Sequence, residues 1–293
     1  MGIQILNKDV SVISSVMVTP KANIGSIFGT TGWVAPIDDD AAAFFSRVTA
    51  AGGTLTTTEQ TAVETLVSQL KSFGIWNSMR AIYPMVGSSA AACAQNLKSA
   101  SFTGTFASGW TFSSTGATPN GAGAYMDTGF VPSSFLSNST FAHLSYYSRT
   151  DTALASEFVM GSSQSGGGSL ALIIRRNNNL RNFLCDFTSA TYRTASDTNS
   201  LNGIGYFLGN QQGLNCKLII NNVVAVQNSS VSLGLSPNSL PTFLGSTNLS
   251  GAPGFYTNKQ CAFSTIGDGL TDMQASNLYT AVQAFQTTLG RQV

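Results

Sequence analysis

The stretch Leu218-Ile219-Ile220-Asn221-Asn222-Val223-Val224-Ala225-Val226 decides the fold class. Its two halves are rich in β-branched residues, and the Asn-Asn pair between them tolerates the positive φ angles of a tight hairpin turn. Downstream come a loop rich in Gly, Ser and Asn, a short apolar run at 261–266, and one helix predicted over 271–289. Strands followed by a single late helix predict a mainly β sandwich with one helical addition.

Alternating side chains predict further strands upstream, because every second residue of a strand faces the same side. One such set is Leu154, Ser156, Phe158 and Met160, and a second is Leu170, Leu172 and Ile174. The asparagines at 177–179 then predict a hairpin turn. Three arginines flank this turn and could meet an acidic sugar or a phosphate, although a solvated hairpin tip is the favoured interpretation: Arg175, Arg176 and Arg181.

Two segments carry a resemblance to a known fold family. Gly267-Asp268-Gly269-Leu270-Thr271-Asp272-Met273-Gln274 resembles the end of a concanavalin A-like, laminin G-type jelly roll, and the glycine-rich bend with Tyr125-Met126-Asp127-Thr128 resembles its opening. More narrowly, Phe73-Gly74-Ile75-Trp76 and Leu278-Tyr279-Thr280-Ala281 resemble segments of bacteriophage virion proteins that carry this domain. The resemblance spans roughly residues 40–293. It implies an antiparallel two-sheet jelly-roll sandwich of the lectin and glucanase type, with an N-terminal arm, a short helical region and a C-terminal helix.

The chain is predicted to have three regions. Residues 1–38 form an anchoring arm, 39–100 a helical region and 101–293 the jelly-roll domain. In the helical region, Thr56 and Glu59 have the spacing of a capping box, in which each side chain bonds the other's backbone N–H. The arm is strand-like but too short for its own core, and we expect it to dock on other subunits through its apolar residues. These are Ile3, Ile5, Leu6, Val10, Val12, Ile13, Val16 and Val18.

The resemblance implies a structural component of a phage virion, such as a fibre, an appendage or a capsid decoration protein. Its expected partners are capsid, portal, collar or tail subunits and copies of itself, and its expected location is the virion, after synthesis in the host cytoplasm. The first alternative is an adhesin that binds a glycan on the host surface. The candidate ligand-binding residues for that role are Trp110, Tyr125, Asp127 and Tyr192, since aromatic rings stack on sugars.

Composition excludes some classes of function. Only 9% of the 293 residues are charged and the formal net charge is +1, so the chain lacks the positive surface that nucleic acid or an anionic membrane requires. With 43% hydrophobic residues it can bury a full core. The N-terminus lacks the pattern of a signal peptide, and no apolar run is long enough to span a membrane. The four cysteines form no C-x-x-C pair, which favours reduced, buried thiols.

Catalysis is not predicted. His143 is the single histidine and no G-x-S-x-G motif accompanies it. The glucanases that the fold resembles carry two acidic residues two positions apart on one strand, and the predicted strands here have no such pair. A glycoside hydrolase with carboxylates from different strands remains a less favoured alternative. No metal site is predicted, although Ca²⁺ bound by Asp127 and backbone carbonyls stays open.

Overall fold

The computed structural model describes residues 37–136, 141–164, 168–186, 194–197, 202–229 and 237–293. Within it, Asp39–Val293 forms one compact unit. The eight apolar residues of the predicted arm and Tyr192 lie outside the described residues.

Two long helices begin at capping boxes, and the one at Thr56 and Glu59 confirms the prediction from its spacing. At the first, Glu59 Oε2 accepts a hydrogen bond from Thr56 N at 2.8 Å, and at the second Gln274 Oε1 accepts one from Thr271 N at 2.9 Å. These contacts satisfy backbone donors that would otherwise be left unpaired at a helix start. The helices of the described residues are α1 (Asp39–Ala50), α2 (Thr57–Ser72), α3 (Ala90–Cys93), α4 (Pro132–Phe135) and α5 (Asp272–Thr288), with a 3₁₀ turn at Trp76–Ser78.

The strands form two sheets, so the prediction of a mainly β, two-sheet fold with a C-terminal helix is confirmed. In the described residues the first sheet has the order β13-β12-β11-β6-β17-β4-β3, with β1 also paired to β17. Its strands are β1 (Met79–Tyr83), β3 (Trp110–Ser113), β4 (Gly116–Pro119), β6 (Phe141–Ser148), β11 (Gly205–Gln212), β12 (Asn215–Ile220), β13 (Val223–Asn228) and β17 (Cys261–Gly267).

The second sheet has the order β10-β9-β8-β7-β14-β5-β2, and the β15-β16 hairpin joins it through β7. The described strands of this sheet are β2 (Thr105–Phe106), β5 (Met126–Asp127), β7 (Met160–Ser163), β8 (Ser169–Ile173), β9 (Arg181–Asp186), β10 (Thr194–Asp197), β14 (Phe243–Leu244), β15 (Thr247–Leu249) and β16 (Ala252–Gly254).

The central strands of the first sheet, β6, β11 and β17, are buried on both faces. Tyr146 points into the core between the sheets, whereas its neighbour Tyr147 packs with the helices on the opposite face. This alternation is the two-residue period of a strand, and it explains why strand β6 is apolar almost throughout. One apolar face of α2 and one of α5 supply the other side of the contact, and their buried residues include Val63, Leu66, Val67 and Leu70, and Leu278, Ala281, Val282 and Phe285.

The hairpin that decided the fold class is present as predicted. Strands β12 and β13 flank a turn in which Asn221 and Asn222 have φ angles of 46° and 66°. Asn221 also stabilises the turn through its side chain, because its Oδ1 accepts a hydrogen bond of 2.8 Å from Tyr206 N. All four cysteines are buried and none of them is in a disulfide, which confirms the prediction of reduced, buried thiols. In the described part of the chain, no helix has the length and apolar character needed to cross a bilayer.

Two local predictions need correction. The region 39–100 contains a strand, β1, which was not expected; Ile82 and Tyr83 pair with Thr265 and Ser264 of β17. In addition, Phe158 and Met160 do not share a face. Strand β7 begins only at Met160, so the alternation does not extend back to Phe158, which packs on the outer face of the second sheet.

Candidate functional site

The outer face of the second sheet carries the exposed aromatic residues of interest. Strand register places one continuous row of side chains across this face, because residues paired on neighbouring strands point to the same side. The row runs through Thr105, Asp127, Phe243, Gly161, Ala171 and Leu184. The alternate residues of the same strands, such as Met126 and Leu244, belong to the core between the sheets.

Tyr125 and Asp127, both candidates from the sequence, come together on this face. They are two residues apart on an extended segment and therefore point to the same side. The Tyr125 ring lies on the ring of Phe243, with centroids 4.7 Å apart and planes inclined by 31°. Tyr125 is partly exposed, whereas Phe243 is buried beneath it. The Asp127 Oδ1 accepts a hydrogen bond of 2.8 Å from Gly129 N, which fixes the carboxylate beside the aromatic pair.

Trp110 is not part of this arrangement. It lies on β3 of the first sheet and packs at the border of the core, its ring 5.1 Å from that of Phe106 and inclined by 70°. The ring also lies against Gly245, where an added Cβ would come within 2.6 Å of it. Its Nε1 is buried and has no hydrogen-bond partner among the described residues. The structure therefore gives Trp110 a packing role.

An ionic cluster lies in the loops that connect β6 to β7, β8 to β9 and β16 to β17. Glu157 and Lys259 form a fully buried ion pair, and Lys259 Nζ also donates to the carbonyl oxygen of Arg175 at 3.0 Å. Arg175 in turn pairs with Asp151 at 2.5 Å. Burial lowers the pKa of Lys259, and the Glu157 carboxylate opposes this shift. The cluster thus brings two carboxylates together that belong to no predicted strand pair.

The surroundings of His143 indicate a structural role for this residue. It is fully buried, its Nδ1 lies 2.6 Å from the Asp268 carbonyl oxygen, and its Nε2 lies 3.0 Å from Thr265 Oγ1. The first contact requires a proton on Nδ1, so the second nitrogen accepts from the threonine hydroxyl. Burial lowers the pKa of His143 to about 4, which keeps the ring neutral near pH 7.

A polar pocket of about 310 Å³ opens on the helical side of the molecule. Its one carboxylate, Glu59, is already engaged, since Oε2 completes the capping box and Oε1 accepts a 2.7 Å hydrogen bond from Gly87 N. The lining residues are Thr54, Thr56, Thr58, Glu59, Gly87, Ser88, Ser114 and Leu289. Among the described residues, no group of three or more His, Cys, Asp or Glu side chains is arranged to hold a metal ion.

Comparison with known proteins finds similarity only in solved structures. No protein-family model and no curated protein matches the chain. Domain 4 of AbnA, a GH43 extracellular arabinanase from Geobacillus stearothermophilus, is 15% identical; the match covers 69% of this chain and 98% of that domain, with a TM-score of 0.49. The sialidase of Trypanosoma rangeli is 10% identical, with 75% of this chain and 39% of that one covered and a TM-score of 0.48. A CBM40 domain of the Ruminococcus gnavus IT-sialidase is 15% identical, with 47% and 81% covered and a TM-score of 0.36.

The chain spans about a quarter of the length of the NanB sialidase of Streptococcus pneumoniae, of which the match covers 25% at 12% identity and a TM-score of 0.41. These neighbours correct two expectations from the sequence. The first was a structural role in a phage virion, but the neighbours are sialidases, an arabinanase domain and CBM40 domains, and nothing among them indicates a virion protein. That expectation inferred the function of the whole protein from the resemblance of a few short segments. Such segments indicate a fold, and a fold does not determine a function.

The second corrected expectation is that the protein is not an enzyme. Sialidases and a domain of an arabinanase stand among the neighbours, which overturns it. That expectation gave little weight to carboxylates brought together from different parts of the chain. In the folded chain, Asp151 and Glu157 enter one ionic cluster through Arg175 and Lys259, so strand spacing was not a sufficient test.

Proposed function

We propose that the unit Asp39–Val293 is a glycan-binding domain whose sugar-contacting surface is the outer face of the second sheet. The observation that carries this proposal is the partly exposed Tyr125 ring, supported from below by Phe243 and flanked by the Asp127 carboxylate. Glycan binding is also the first alternative that the sequence raised.

The support beneath Tyr125 matters for affinity. A ring that already lies on another ring has few orientations left to lose, so less free energy is spent on ordering it when a ligand binds. The face of a phenol ring is apolar, and the C–H face of a pyranose can pack on it while the sugar hydroxyls remain hydrated at the sides. Tyr125 therefore offers a preformed platform for one sugar ring.

Asp127 and Thr105 supply hydrogen bonds beside that platform. An ionised carboxylate has about four acceptor positions, and the contact with Gly129 N uses one of them. The remaining positions suit sugar hydroxyls, which are donors. Thr105 is exposed and lies opposite Asp127 on the neighbouring strand, where its hydroxyl can donate or accept. Ring packing with a few directed polar contacts is the usual composition of a small-molecule site.

Binding by a single copy is expected to be weak, because the contacts are few and mostly neutral. Display of several copies raises the apparent affinity through effective concentration rather than through new contacts. The test is therefore a glycan array probed with the protein held on a tetrameric carrier. Tyr125→Ala should reduce binding at least tenfold, whereas Tyr125→Phe, which keeps the ring, should bind nearly as well.

The matched control is Tyr279→Ala, which removes the same side chain from the helical side, where Tyr279 lies 6.0 Å from the Tyr206 ring. This variant should bind like the unchanged protein. Absence of binding to every neutral and acidic glycan, or equal binding by Tyr125→Ala, would overturn the proposal. Release of reducing ends from each bound polysaccharide is measured in the same samples, so that hydrolysis is detected separately from binding.

A further inference from the structure

A second aromatic pair lies on the same face as Tyr125. Phe158 packs with Ala171 and Ile173, which the strand register places on the outer face of the second sheet. The ring of Phe255 lies on that of Phe158, with centroids 5.5 Å apart and planes inclined by 31°. A backbone hydrogen bond of 2.8 Å from Phe158 N to the Phe255 carbonyl oxygen holds the two residues together.

Phe255 combines exposure with backbone strain. Its side chain is 42% exposed, although it is large and apolar. Its φ angle is +55°, in the left-handed region that bulky residues rarely adopt. Such a conformation is unfavourable and persists only where the surrounding structure enforces it, which is frequent at ligand sites. The strain here holds an aromatic ring at the surface.

Arg176 lies next to the Phe158–Phe255 pair. Its guanidinium carbon lies 4.9 Å from the centroid of the Phe158 ring, and its Nε donates to the Glu157 carbonyl oxygen at 3.3 Å. The backbone is also fixed, since Arg176 N donates to the Leu180 carbonyl oxygen at 3.0 Å. In the described ranges, the two terminal nitrogens of Arg176 have no protein partner. They remain available as a fork of donors for an anion.

The charge of Arg176 is not neutralised by the nearby carboxylates. Asp151 is paired with Arg175. Glu157 is paired with Lys259, and its second oxygen accepts a hydrogen bond of 2.7 Å from Thr257 Oγ1. Both carboxylates are therefore already bound to other cations. Burial lowers the pKa of Arg176 and Glu157 raises it, but an arginine remains protonated at physiological pH.

We propose that Arg176 and Phe255 form a subsite for an acidic sugar, in which the Arg176 guanidinium binds the carboxylate and Phe255 packs on the apolar face of the sugar ring. The subsite extends the proposed glycan-binding face, and it rests on that function. Phe158 precedes Gly161 by three residues, and Gly161 is the neighbour of Phe243 in the row of side chains. Three residues of chain reach at most about 10 Å, and Phe243 lies on the strand next to Gly161, so a short oligosaccharide can bridge the two aromatic pairs.

Two ligand pairs that differ mainly by a carboxylate test the subsite. The first is 3′-sialyllactose against its methyl ester, and the second is oligogalacturonate against its methyl ester; in both pairs the ester masks the carboxylates and leaves the sugar rings unchanged. The full chain on a tetrameric carrier should prefer the acidic member of at least one pair tenfold or more. The pair that shows the preference identifies whether the carboxylate comes from a sialic acid or from a uronic acid.

Variants separate this subsite from the Tyr125 platform. Arg176→Gln should abolish the preference for the acidic ligand and leave binding of the neutral one unchanged, whereas Arg176→Lys should retain part of it, since the charge remains without the fork. Phe255→Ala should weaken the acidic ligand of the preferred pair. The matched control is Arg80→Gln, which removes an arginine that pairs with Asp268 at 2.8 Å beside the first sheet; it should keep the preference.

The outcomes distinguish the two proposals. Binding of neutral and acidic members with equal affinity, or an acidic preference that survives Arg176→Gln, overturns the subsite and leaves the glycan-binding proposal intact. Acidic binding that depends on Arg176 but not on Tyr125 supports the subsite and overturns the assignment of the platform. No binding to any glycan overturns both.

Discussion

Replacing Lys259 by Met tests the ionic cluster that supports the acidic-sugar subsite. Lys259 and Glu157 are both fully buried, and their loops also hold Phe158 and Arg176 in place. The substitution removes the positive charge and three hydrogen bonds, to Glu157 and to the carbonyl oxygens of Thr152 and Arg175. It leaves the Glu157 carboxylate buried, with hydrogen bonds from Thr257 Oγ1 and Leu154 N but without its ion-pair partner.

The expected cost is about 3–5 kcal/mol of unfolding free energy, because removal of one partner of a buried pair leaves an uncompensated charge. Adding Glu157→Gln to Lys259→Met removes that charge and should recover about half of the loss or more. Urea denaturation of the single and double variants measures both values through a double-mutant cycle. A loss of less than about 1 kcal/mol for Lys259→Met, or additive effects in the double variant, would refute the assignment of a buried ion pair with that magnitude.

Three further predictions concern stability and the binding face. Folding lowers the pKa of His143 from 6.5 to about 4, so the unfolded chain binds a proton at His143 before the folded chain does as the pH falls. The free energy of unfolding should therefore decrease by about 3 kcal/mol between pH 6.5 and pH 4. In parallel urea titrations, His143→Gln should lack this contribution to the pH dependence. Arg291→Met should cost about 3 kcal/mol in the same assay, because the buried guanidinium donates to the carbonyl oxygens of Pro84, Met85 and Ala262 at 2.7–2.9 Å. Gly161→Ala should cost about 2 kcal/mol and weaken glycan binding on the array, since Gly161 has a φ of +154° and an added Cβ would lie 2.3 Å from that of Ala171.

Local patterns predicted most of the regular structure. The Asn221-Asn222 turn and the two capping boxes depend on residues within a few positions of one another, so their chemistry is readable in the chain itself. Strand β1 was not predicted, since it follows directly on a helix and a 3₁₀ turn and is stabilised mainly by β17, far away in sequence. Its five residues carry no clear alternation, because four of them are buried.

The candidate site was predictable only in part. Tyr125 was selected because aromatic rings stack on sugars, and Asp127 as a carboxylate in the same segment of the resemblance; their spacing of two residues also places them on one face of a strand. Their support by Phe243 depends on the pairing of β5 with β14, and no local signal reports that pairing. Trp110 was selected by residue type alone, and type does not distinguish a ring at the border of the core from one on an outer face.

The acidic-sugar subsite shows why composition can hide a functional charge. A formal net charge of +1 over 293 residues argues against a large positive surface of the kind that binds nucleic acid. A subsite for one carboxylate needs only one arginine whose neighbours are already paired. The pairing of Arg175 with Asp151 and of Lys259 with Glu157 joins residues 24 and 102 positions apart, so it exists only in the folded chain. Selectivity of this kind is decided by which charges remain after the fold has paired the others, and the charge of Arg176 is one that remains.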